Sequence, residues 1–172
     1  TICSAMCNFT GKNISLERNT SRMDVEANAI KSVITDFMQK ASQSLLQLSG
    51  AMGYRLDHIA GRSVVDSRPF QIFEGSNDIL YQQIGESVLK MMRKLKNNNL
   101  HDFLSDFHLT SRSSEYFKDH FNFNIDPKMP QRKLVELGKA LGRIISMEFT
   151  LDLGDQGFNT NLIQNAIKTL QD

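Results

Sequence analysis

The 172-residue sequence predicts an all-α protein, an antiparallel bundle of long helices with an appended helical extension. One observation is composition, since the chain has only three prolines and is rich in Leu, Lys, Gln, Met and Ala, which favour helices. A second observation is periodicity, since apolar residues recur every three or four positions in two long stretches, 23–49 and 131–153. These two stretches should be the longest helices and should supply much of the core.

The stretch 23–49 carries the strongest helical pattern. Asp24 and Glu26 suit the first turn, where the helix dipole favours negative charge. Gly50 and Gly53 suit the end, because glycine commonly follows a helix C-terminus. The apolar positions at helical spacing are Ala29, Val33, Ile34, Phe37, Met38, Ala41, Leu45 and Leu48. We expect Val33, Ile34 and Phe37 in the core.

Shorter helices are predicted on either side of this stretch. Residues 1–9 resemble the end of a helix that residues 10–13 interrupt, and 10–22 form a polar connection. A short helix is expected over 58–67, before Pro69, which disfavours helical geometry in the preceding residue. Another helix is expected over 77–95, and residues 97–99 should end it.

The second half of the chain predicts a helical extension over 97–172. A short amphipathic helix is expected over 100–108, and a final helix over 161–170. Between them, 131–153 should be a long helix that Gly154 and Gly157 close. Its apolar positions are Leu134, Leu137, Leu141, Ile144, Ile145, Met147, Phe149 and Leu151. Leu134, Leu141 and Ile145 are expected in the core.

Charge and hydropathy give no indication of nucleic-acid or membrane binding. The net charge is +1, from 20 basic and 19 acidic residues, and no run of 18 apolar residues occurs. Cys3 and Cys7 are four residues apart and should share one helix face as reduced, buried thiols. The chain begins without methionine and in the middle of an apparent pattern, so we expect it to be a piece of a longer protein.

Histidines and carboxylates in the extension raise the question of a metal site. They are His101, Asp102, Asp106, His108 and His120. His101 and His108 are seven residues apart and can share a helix face, but no close pair of ligands completes a set. No metal is therefore expected.

The most informative stretch is 68–79, with the sequence Arg-Pro-Phe-Gln-Ile-Phe-Glu-Gly-Ser-Asn-Asp-Ile. Apolar residues surround Glu74, and a carboxylate buried among them would be a stronger base. Gly75 permits close approach of a ligand to the backbone, and Ser76 can cap the next helix and still offer its hydroxyl. The alternative interpretation is an ordinary loop and helix cap, with Glu74 turned to solvent.

Three motifs in this order resemble the acyl-CoA dehydrogenase family. The sequence Ile-Phe-Glu-Gly-Ser-Asn-Asp-Ile at 72–79 resembles the Ile-Tyr-Glu-Gly-Thr-x-x-Ile signature of its C-terminal helical domain. Upstream, Gln-Leu-Ser-Gly-Ala-Met-Gly-Tyr at 47–54 resembles Gln-x-x-Gly-Gly-x-Gly-Tyr, and 66–68 occupies the place of an Arg-Asp-x-Arg/Lys run. The resemblance is clear over about 24–92. It implies that 1–96 forms the family's helical bundle domain, with 97–172 similar to the extension of longer-chain members.

The resemblance implies a flavoenzyme that desaturates an acyl-CoA between its α and β carbons. By the resemblance, Glu74 removes the α proton and Gly75 contacts the substrate. The residues implied to contact FAD are Gln47, Gly50, Ala51, Ser76 and Asp78. Gln47 and Gly50 are implied to contact the dinucleotide part of FAD, often in a neighbouring subunit, and Ser76 keeps the hydroxyl of the usual threonine.

The family also implies partners and a location. They are an acyl-CoA substrate, a homo-oligomer, electron-transfer flavoprotein as electron acceptor, and the cytoplasm or, in a eukaryote, the mitochondrial matrix. Two alternatives stay open: a helical packing and oligomerisation module without activity, and an acyl-CoA oxidase relative. The family's β domain and most of its N-terminal helical domain are expected outside these 172 residues.

Overall fold

The computed structural model describes residues 1–15, 17, 23–126 and 128–171. The all-α prediction is confirmed, since these residues form helices and turns and no strand. The α-helices are α1 (Ile2–Asn13), α2 (Asp24–Gly53), α3 (Ile59–Ser67), α4 (Asn77–Leu95), α5 (Leu100–Asp106), α6 (Lys118–Phe121), α7 (Gln131–Asp155) and α8 (Thr160–Gln171). A 3-10 turn, Arg68–Gln71, follows α3, and a second one, Ser113–Phe117, leads into α6. No helix within the described ranges is long and apolar enough to cross a membrane.

The two long helices occur where the periodicity predicts them. α2 has 30 residues and α7 has 25, and they are the longest helices described. Gly50 has φ 55° and ψ −141°, so it breaks the helical geometry of α2 three residues before the helix ends. A side chain is strained at this φ, which explains glycine here.

α7 is the central helix, and it packs against α1, α2, α4 and α8. α7 and α4 cross at a short distance because Gly138 on α7 and Gly85 on α4 each face the backbone of the other helix. A Cβ added at Gly138 would be 1.8 Å from the carbonyl oxygen of Tyr81, and one at Gly85 would be 2.9 Å from that of Leu134. One hydrophobic cluster therefore takes in residues on both sides of position 96. The division into 1–96 and 97–172 stays a prediction.

The predicted core residues all belong to this cluster. Val33, Leu141 and Ile145 are buried, and three others are half-buried against them: Ile34, Phe37 and Leu134. The second half of α2 differs, since Leu45 and Leu48 are exposed, Leu48 by 86%. α3 and the turn that follows it pack against α2 but leave these two side chains uncovered.

α1 differs from its prediction in two respects. The helix does not stop at residue 9 but continues to Asn13, and the backbone N–H of Ile14 still donates to the carbonyl oxygen of Thr10 at 2.9 Å. The prediction that Cys3 and Cys7 are buried is also wrong, because both are exposed free thiols. The buried face of α1 instead carries small and apolar side chains that face α7, namely Ala5, Met6 and, stacked on Phe149 at 4.0 Å, Phe9.

The remaining predictions of elements hold closely. α3, α4 and α8 begin and end within one residue of their predicted bounds, and α7 ends two residues later than predicted. α5 ends at Asp106, two residues early, and Asn99 caps it by accepting a hydrogen bond from the backbone N–H of Asp102 at 3.0 Å. Of the polar connection predicted over 10–22, residues 10–13 belong to α1 and residues 14, 15 and 17 are not helical, whereas residues 16 and 18–22 lie outside the described part of the chain.

An ion pair between the exposed Arg112 and the buried Glu148 fastens the segment after α5 to α7. Glu148 is only 5% exposed and accepts hydrogen bonds from Arg112 Nε at 2.7 Å and from the backbone N–H groups of Arg112 and Ser113 at 3.0 and 2.8 Å. Arg112 also bonds Asp155 at 2.6 Å and contacts Asp152. Burial opposes ionisation of Glu148, but the bonds from Arg112 and Ser113 outweigh it and hold its pKa below the usual value.

Candidate functional site

The motif loop, residues 68–79, leads from α3 into α4 along one side of α2. Its 3-10 turn closes where Ile72 and Phe73 both donate backbone hydrogen bonds to the carbonyl oxygen of Pro69 at 2.9 Å. Glu74 and Gly75 follow with φ values of 58° and 101°. α4 then begins at Asn77, as predicted.

Glu74 is held in a conformation that most residues avoid. A left-handed φ costs a side-chain-bearing residue about 1–2 kcal/mol. Such strain persists where the surrounding structure fixes the backbone, and it is common at functional sites. At Gly75, an added Cβ would be 3.2 Å from Leu80 Cδ2. Glu74 and Gly75 are thus two consecutive residues with positive φ, and together they set the direction of the Glu74 side chain.

The prediction that apolar neighbours bury Glu74 is wrong for this chain, because its side chain is exposed. The same residues are themselves exposed: Phe70, Ile72 and Phe73, the last by 67%. The sequence places them next to Glu74, but the loop turns them outward together with the carboxylate. Any desolvation of Glu74 must therefore come from something that covers this surface.

Lys31 on α2 holds the loop at the position after Glu74. Its Nζ donates to the carbonyl oxygen of Gly75 at 2.8 Å and to Asn77 Oδ1 at 2.9 Å. Burial lowers the pKa of Lys31, and the nearby carboxylates of Asp36 and Glu74 partly offset this effect. The ammonium group therefore links the motif loop to α2 and also lies within the field of Glu74.

Asn77 and Asp36 form the buried part of the same network. Asn77, 7% exposed, donates through Nδ2 to Asp36 Oδ1 at 2.6 Å, to Thr35 Oγ1 at 2.9 Å and to the carbonyl oxygen of Ser32 at 3.1 Å. Asp36 Oδ1 also accepts from Gln71 Nε2 at 2.7 Å. Because the Asn77 side chain makes several hydrogen bonds, it fixes the loop in one position. Any shift of the loop would leave buried polar groups without partners.

Tyr81 and Ser67 extend this network at either end. The Tyr81 hydroxyl donates to Asp36 Oδ2 at 2.7 Å, and burial together with Asp36 raises the pKa of Tyr81. Ser67 Oγ donates to Gln39 Oε1 at 2.8 Å. The loop and the end of α3 are thus bonded along two turns of α2, from Lys31 to Gln39.

Lys31, Asp36 and Asn77 were not among the residues singled out from the sequence. A signal exists, however, since polar residues recur every three or four positions on α2, within an otherwise apolar pattern. These are Asn28, Lys31, Ser32, Thr35, Asp36 and Gln39. A polar stripe of this kind on a core helix indicates a polar partner, because buried polar groups need hydrogen bonds.

The other predicted site residues divide into two groups. Ser76 and Asp78 lie beside Glu74 at the start of α4, where Ser76 makes no side-chain capping bond and Asp78 is exposed, 3.7 Å from Lys139 Nζ. Asn77, between Ser76 and Asp78, bonds Asp36, and Gln47 lies eleven residues further along α2 than Asp36, about 16 Å at the rise of a helix. The two groups therefore lie at separate places along α2.

The group at the end of α2 is accessible. Gln47, Gly50 and Ala51 are all exposed, and nothing lies within 4 Å of a Cβ added at Gly50. α3 packs tightly behind this end, where a Cβ at Gly61 would be 2.4 Å from the carbonyl oxygen of Arg55. A free amide beside an uncovered backbone suits contact with a phosphate-bearing group.

Apolar side chains surround both groups on the exposed surface. Val64, Val65, Pro69, Ile72 and Phe73 line a cavity of about 500 Å³ with Gln39 and Arg68. Further exposed apolar residues are Leu48, Met52, Leu56 and Ile59. Exposed apolar surface on this scale marks a binding or packing surface.

The histidines of the extension do not gather ligands. No group of three or more His, Cys, Asp or Glu in the part of the chain described here is arranged to hold a metal ion. His108 Nε2 lies 3.8 Å from Glu26 Oε1. The Nε2 of the buried His101 has no hydrogen-bond partner among the described residues.

A comparison with protein families identifies the chain. The family model described as "Acyl-CoA dehydrogenase, C-terminal domain" matches residues 2–89, from α1 into α4. The match takes in both groups of predicted site residues and the polar network between α2 and the motif loop. Searches of curated proteins and of solved structures gave no match. With more than half of its residues matched, the chain belongs to the acyl-CoA dehydrogenase family and carries its C-terminal domain.

Proposed function

We propose that this chain is the C-terminal part of an FAD-dependent acyl-CoA dehydrogenase, with Glu74 as the base that removes the α proton of an acyl-CoA thioester. The observation that carries the proposal is the motif loop itself. It presents a carboxylate at a strained backbone position, next to a glycine, and a buried network fixes it to α2. A carboxylate at such a position, held by a buried network, suits a group that has to be placed precisely.

The reaction requires a precisely positioned base. The α proton of a thioester is weakly acidic, so a base must be positioned as the carbonyl is polarised. Glu74 accepts this proton at its carboxylate, and Gly75 leaves room for the thioester beside the backbone. When bound, FAD supplies the acceptor for the β hydrogen, which leaves as hydride.

Desolvation of Glu74 is proposed to accompany binding. An acyl chain or a further protein segment that covers Phe70, Ile72 and Phe73 removes water from the carboxylate and raises its basicity. Lys31 acts as a positioning residue, because its ammonium holds the carbonyl oxygen of Gly75 directly after the base.

The FAD contacts are proposed to come from two copies of the chain. Ser76 offers its hydroxyl and Asp78 its carboxylate beside Glu74, whereas Gln47 lies about 16 Å further along α2 than Asp36, to which the loop is bonded, and Gly50 and Ala51 lie beyond it. We propose that one FAD molecule is contacted by the residues beside Glu74 in one subunit and by Gln47 in another subunit. The protein is therefore proposed to be a homo-oligomer, with electron-transfer flavoprotein as its electron acceptor.

A packing and oligomerisation module is the second candidate function. The observation that favours it is the exposed apolar surface of α2, α3 and the motif loop, which suits association as well as it suits catalysis. An acyl-CoA oxidase relative would use the same base. It would differ from the dehydrogenase in passing its electrons to oxygen.

Anaerobic mixing with acyl-CoA tests the proposal. A protein that contains these residues and holds FAD should lose its oxidised flavin absorbance when a saturated acyl-CoA is added, and a 2-enoyl-CoA should appear. A matched thioester that lacks an α hydrogen serves as the control and should leave the flavin oxidised. Flavin that stays oxidised with acyl-CoAs of short, medium and long chains would favour the packing module, and rapid reoxidation by oxygen would favour the oxidase.

A further inference from the structure

Two neighbouring cavities on α7 share the side chains of Lys139 and Arg143. The smaller cavity, about 240 Å³, lies where α2, α4 and α7 meet. It is lined by Val33, Asp36, Phe37, Lys40, Tyr81, Lys139 and Arg143. The larger cavity, about 460 Å³, lies on the side of α6 and α8. No role in the proposed desaturation is assigned to either cavity.

The smaller cavity carries an excess of positive charge. Lys40, Lys139 and Arg143 face one carboxylate, that of Asp36. Both oxygens of Asp36 already accept hydrogen bonds, from Gln71 and Asn77 on one and from Tyr81 on the other, as described above. Asp36 is therefore committed to the motif loop and does not neutralise the three cations.

The three cations are themselves available. Among the described residues, no carboxylate lies within ion-pair distance of the half-buried Arg143 guanidinium. Lys40 Nζ lies 5.9 Å from the centre of the Phe37 ring, a cation–π contact that keeps it at the cavity rim. Lys139 lies 3.2 Å from Glu136 and 3.7 Å from Asp78. Both of these pairs are exposed, and such pairs contribute only about 0–1 kcal/mol, so Lys139 can turn towards a ligand.

From this arrangement we propose that the smaller cavity binds a phosphate ester. The phosphoryl group lies between Arg143 and Lys139, where a guanidinium offers paired donors to two oxygens and the ammonium offers a third. The organic part packs on Val33 and Phe37. Two cationic groups beside one phosphoryl group match a phosphate dianion better than a single carboxylate. The volume is several times the roughly 30 Å³ of one water molecule, which is enough for the phosphoryl group and part of its substituent.

Isothermal titration with phenyl phosphate tests this site at a pH well above the second phosphate pKa of about 6. Benzenesulfonate, which has a similar ring and only one negative charge, is the ligand control. Phenyl phosphate should bind at one site per chain and at least about tenfold more tightly than benzenesulfonate, as two charge-assisted contacts predict. Absence of binding at millimolar phenyl phosphate, or equal affinity for the two ligands, would overturn the proposal.

Matched variants locate the site. Arg143→Gln should weaken phenyl phosphate binding at least about tenfold. Arg132→Gln makes the same charge change on the same helix, eleven residues or about 16 Å away, and should change the affinity less than twofold. Equal loss in both variants would show general charge attraction and contradict the site.

Lys40→Gln is the second test, because Lys40 is exposed and its replacement should leave the fold intact. It should weaken binding about threefold or more, as expected for loss of one exposed cation at the rim. Unchanged affinity in Lys40→Gln, or in a folded Arg143→Gln, would overturn the proposal. This inference does not depend on the proposed dehydrogenase activity, since its readout is binding of phenyl phosphate alone.

Discussion

Lys31 Nζ lies 2.8 Å from the carbonyl oxygen of Gly75, so a residue on α2 fixes the backbone directly after Glu74. The two residues are 44 positions apart in the chain. This bond, with those of Asn77 to Asp36 and Thr35, defines where the motif loop lies on the helix bundle. The loop geometry is thus a property of α2 as much as of the motif.

Replacing Lys31 by Met should destabilise the fold. The variant keeps most of the side-chain length but leaves the carbonyl oxygen of Gly75 and Asn77 Oδ1 without their donor, which costs about 1–3 kcal/mol. Urea denaturation followed by circular dichroism measures the change. Lys90→Met, on the exposed face of α4, is the control and should stay within about 0.5 kcal/mol of the parent. Equal stability of the two variants would show that the Lys31 bonds contribute nothing.

Gly138→Ala should disrupt the crossing of α4 and α7. The added Cβ would be 1.8 Å from the backbone carbonyl oxygen of Tyr81, and backbone on both sides has little freedom to move. Overpacking of this kind costs about 1–3 kcal/mol or more, and we expect the upper end. Gly11→Ala in α1 is the matched control, because nothing lies within 4 Å of its added Cβ. It should gain up to about 1 kcal/mol from helix propensity. A Gly138→Ala variant as stable as Gly11→Ala would contradict the close crossing.

Glu148 should make stability depend on pH in the acid range. Its pKa in the folded protein lies below the usual value because the Arg112 and Ser113 bonds outweigh burial. A depressed carboxyl pKa stabilises the fold above the unfolded pKa of about 4.3, and this contribution is lost as pH falls through the folded pKa. Glu148→Gln should therefore be less stable at pH 7 by about 1–3 kcal/mol, because the N–H groups of Arg112 and Ser113 lose a charged acceptor, and it should lose less stability than the parent below pH 4.5. Thermal melts from pH 7 to pH 3 test this.

The control for this experiment is Glu115→Gln, which removes an exposed carboxylate 3.7 Å from Lys118 Nζ. An exposed pair contributes about 0–1 kcal/mol, so its pH profile should follow that of the parent. If Glu148→Gln has the same acid profile as Glu115→Gln, the Arg112 pair does not hold the pKa of Glu148 down.

The 172-residue chain alone should fold but should not retain FAD. Its proposed flavin contacts lie in two separate groups, one bonded to α2 at Asp36 and one that starts at Gln47, about 16 Å further along α2, so we expect one chain to offer only part of a site. Incubation with FAD, desalting and a visible absorbance spectrum measure retention, with free FAD carried through the same column as the control. A yellow protein with one FAD per chain would contradict this prediction.

The helices follow from the sequence because their signals are local. The spacing of Val33 and Phe37, or of Leu141 and Ile145, records one buried face, and glycines mark where α2 and α7 end. Burial is less local. Cys3 and Cys7 have the character of core residues, but the face of α1 towards α7 is occupied by Ala5, Met6 and Phe9, and periodicity over one short helix does not decide between faces.

The candidate site follows from the sequence only in part. The motif identifies Glu74, and its role as base stays a prediction. The motif does not reveal Lys31 or Asp36, because their bonds to Gly75 and Asn77 join positions 41 to 46 residues apart. Nor does it reveal that Phe73 and Glu74 turn outward together, since exposure depends on what covers the loop.

The most direct measurement of the central claim is the rate of flavin reduction by acyl-CoA in the intact enzyme with Glu74→Gln. Glutamine keeps the shape of glutamate but accepts no proton at neutral pH, so acyl-CoA should still bind while reduction slows about 100- to 10,000-fold. Glu86→Gln, an exposed glutamate on α4, is the matched control and should reduce at the parent rate. Flavin reduction in Glu74→Gln at close to the parent rate would show that Glu74 is not the base.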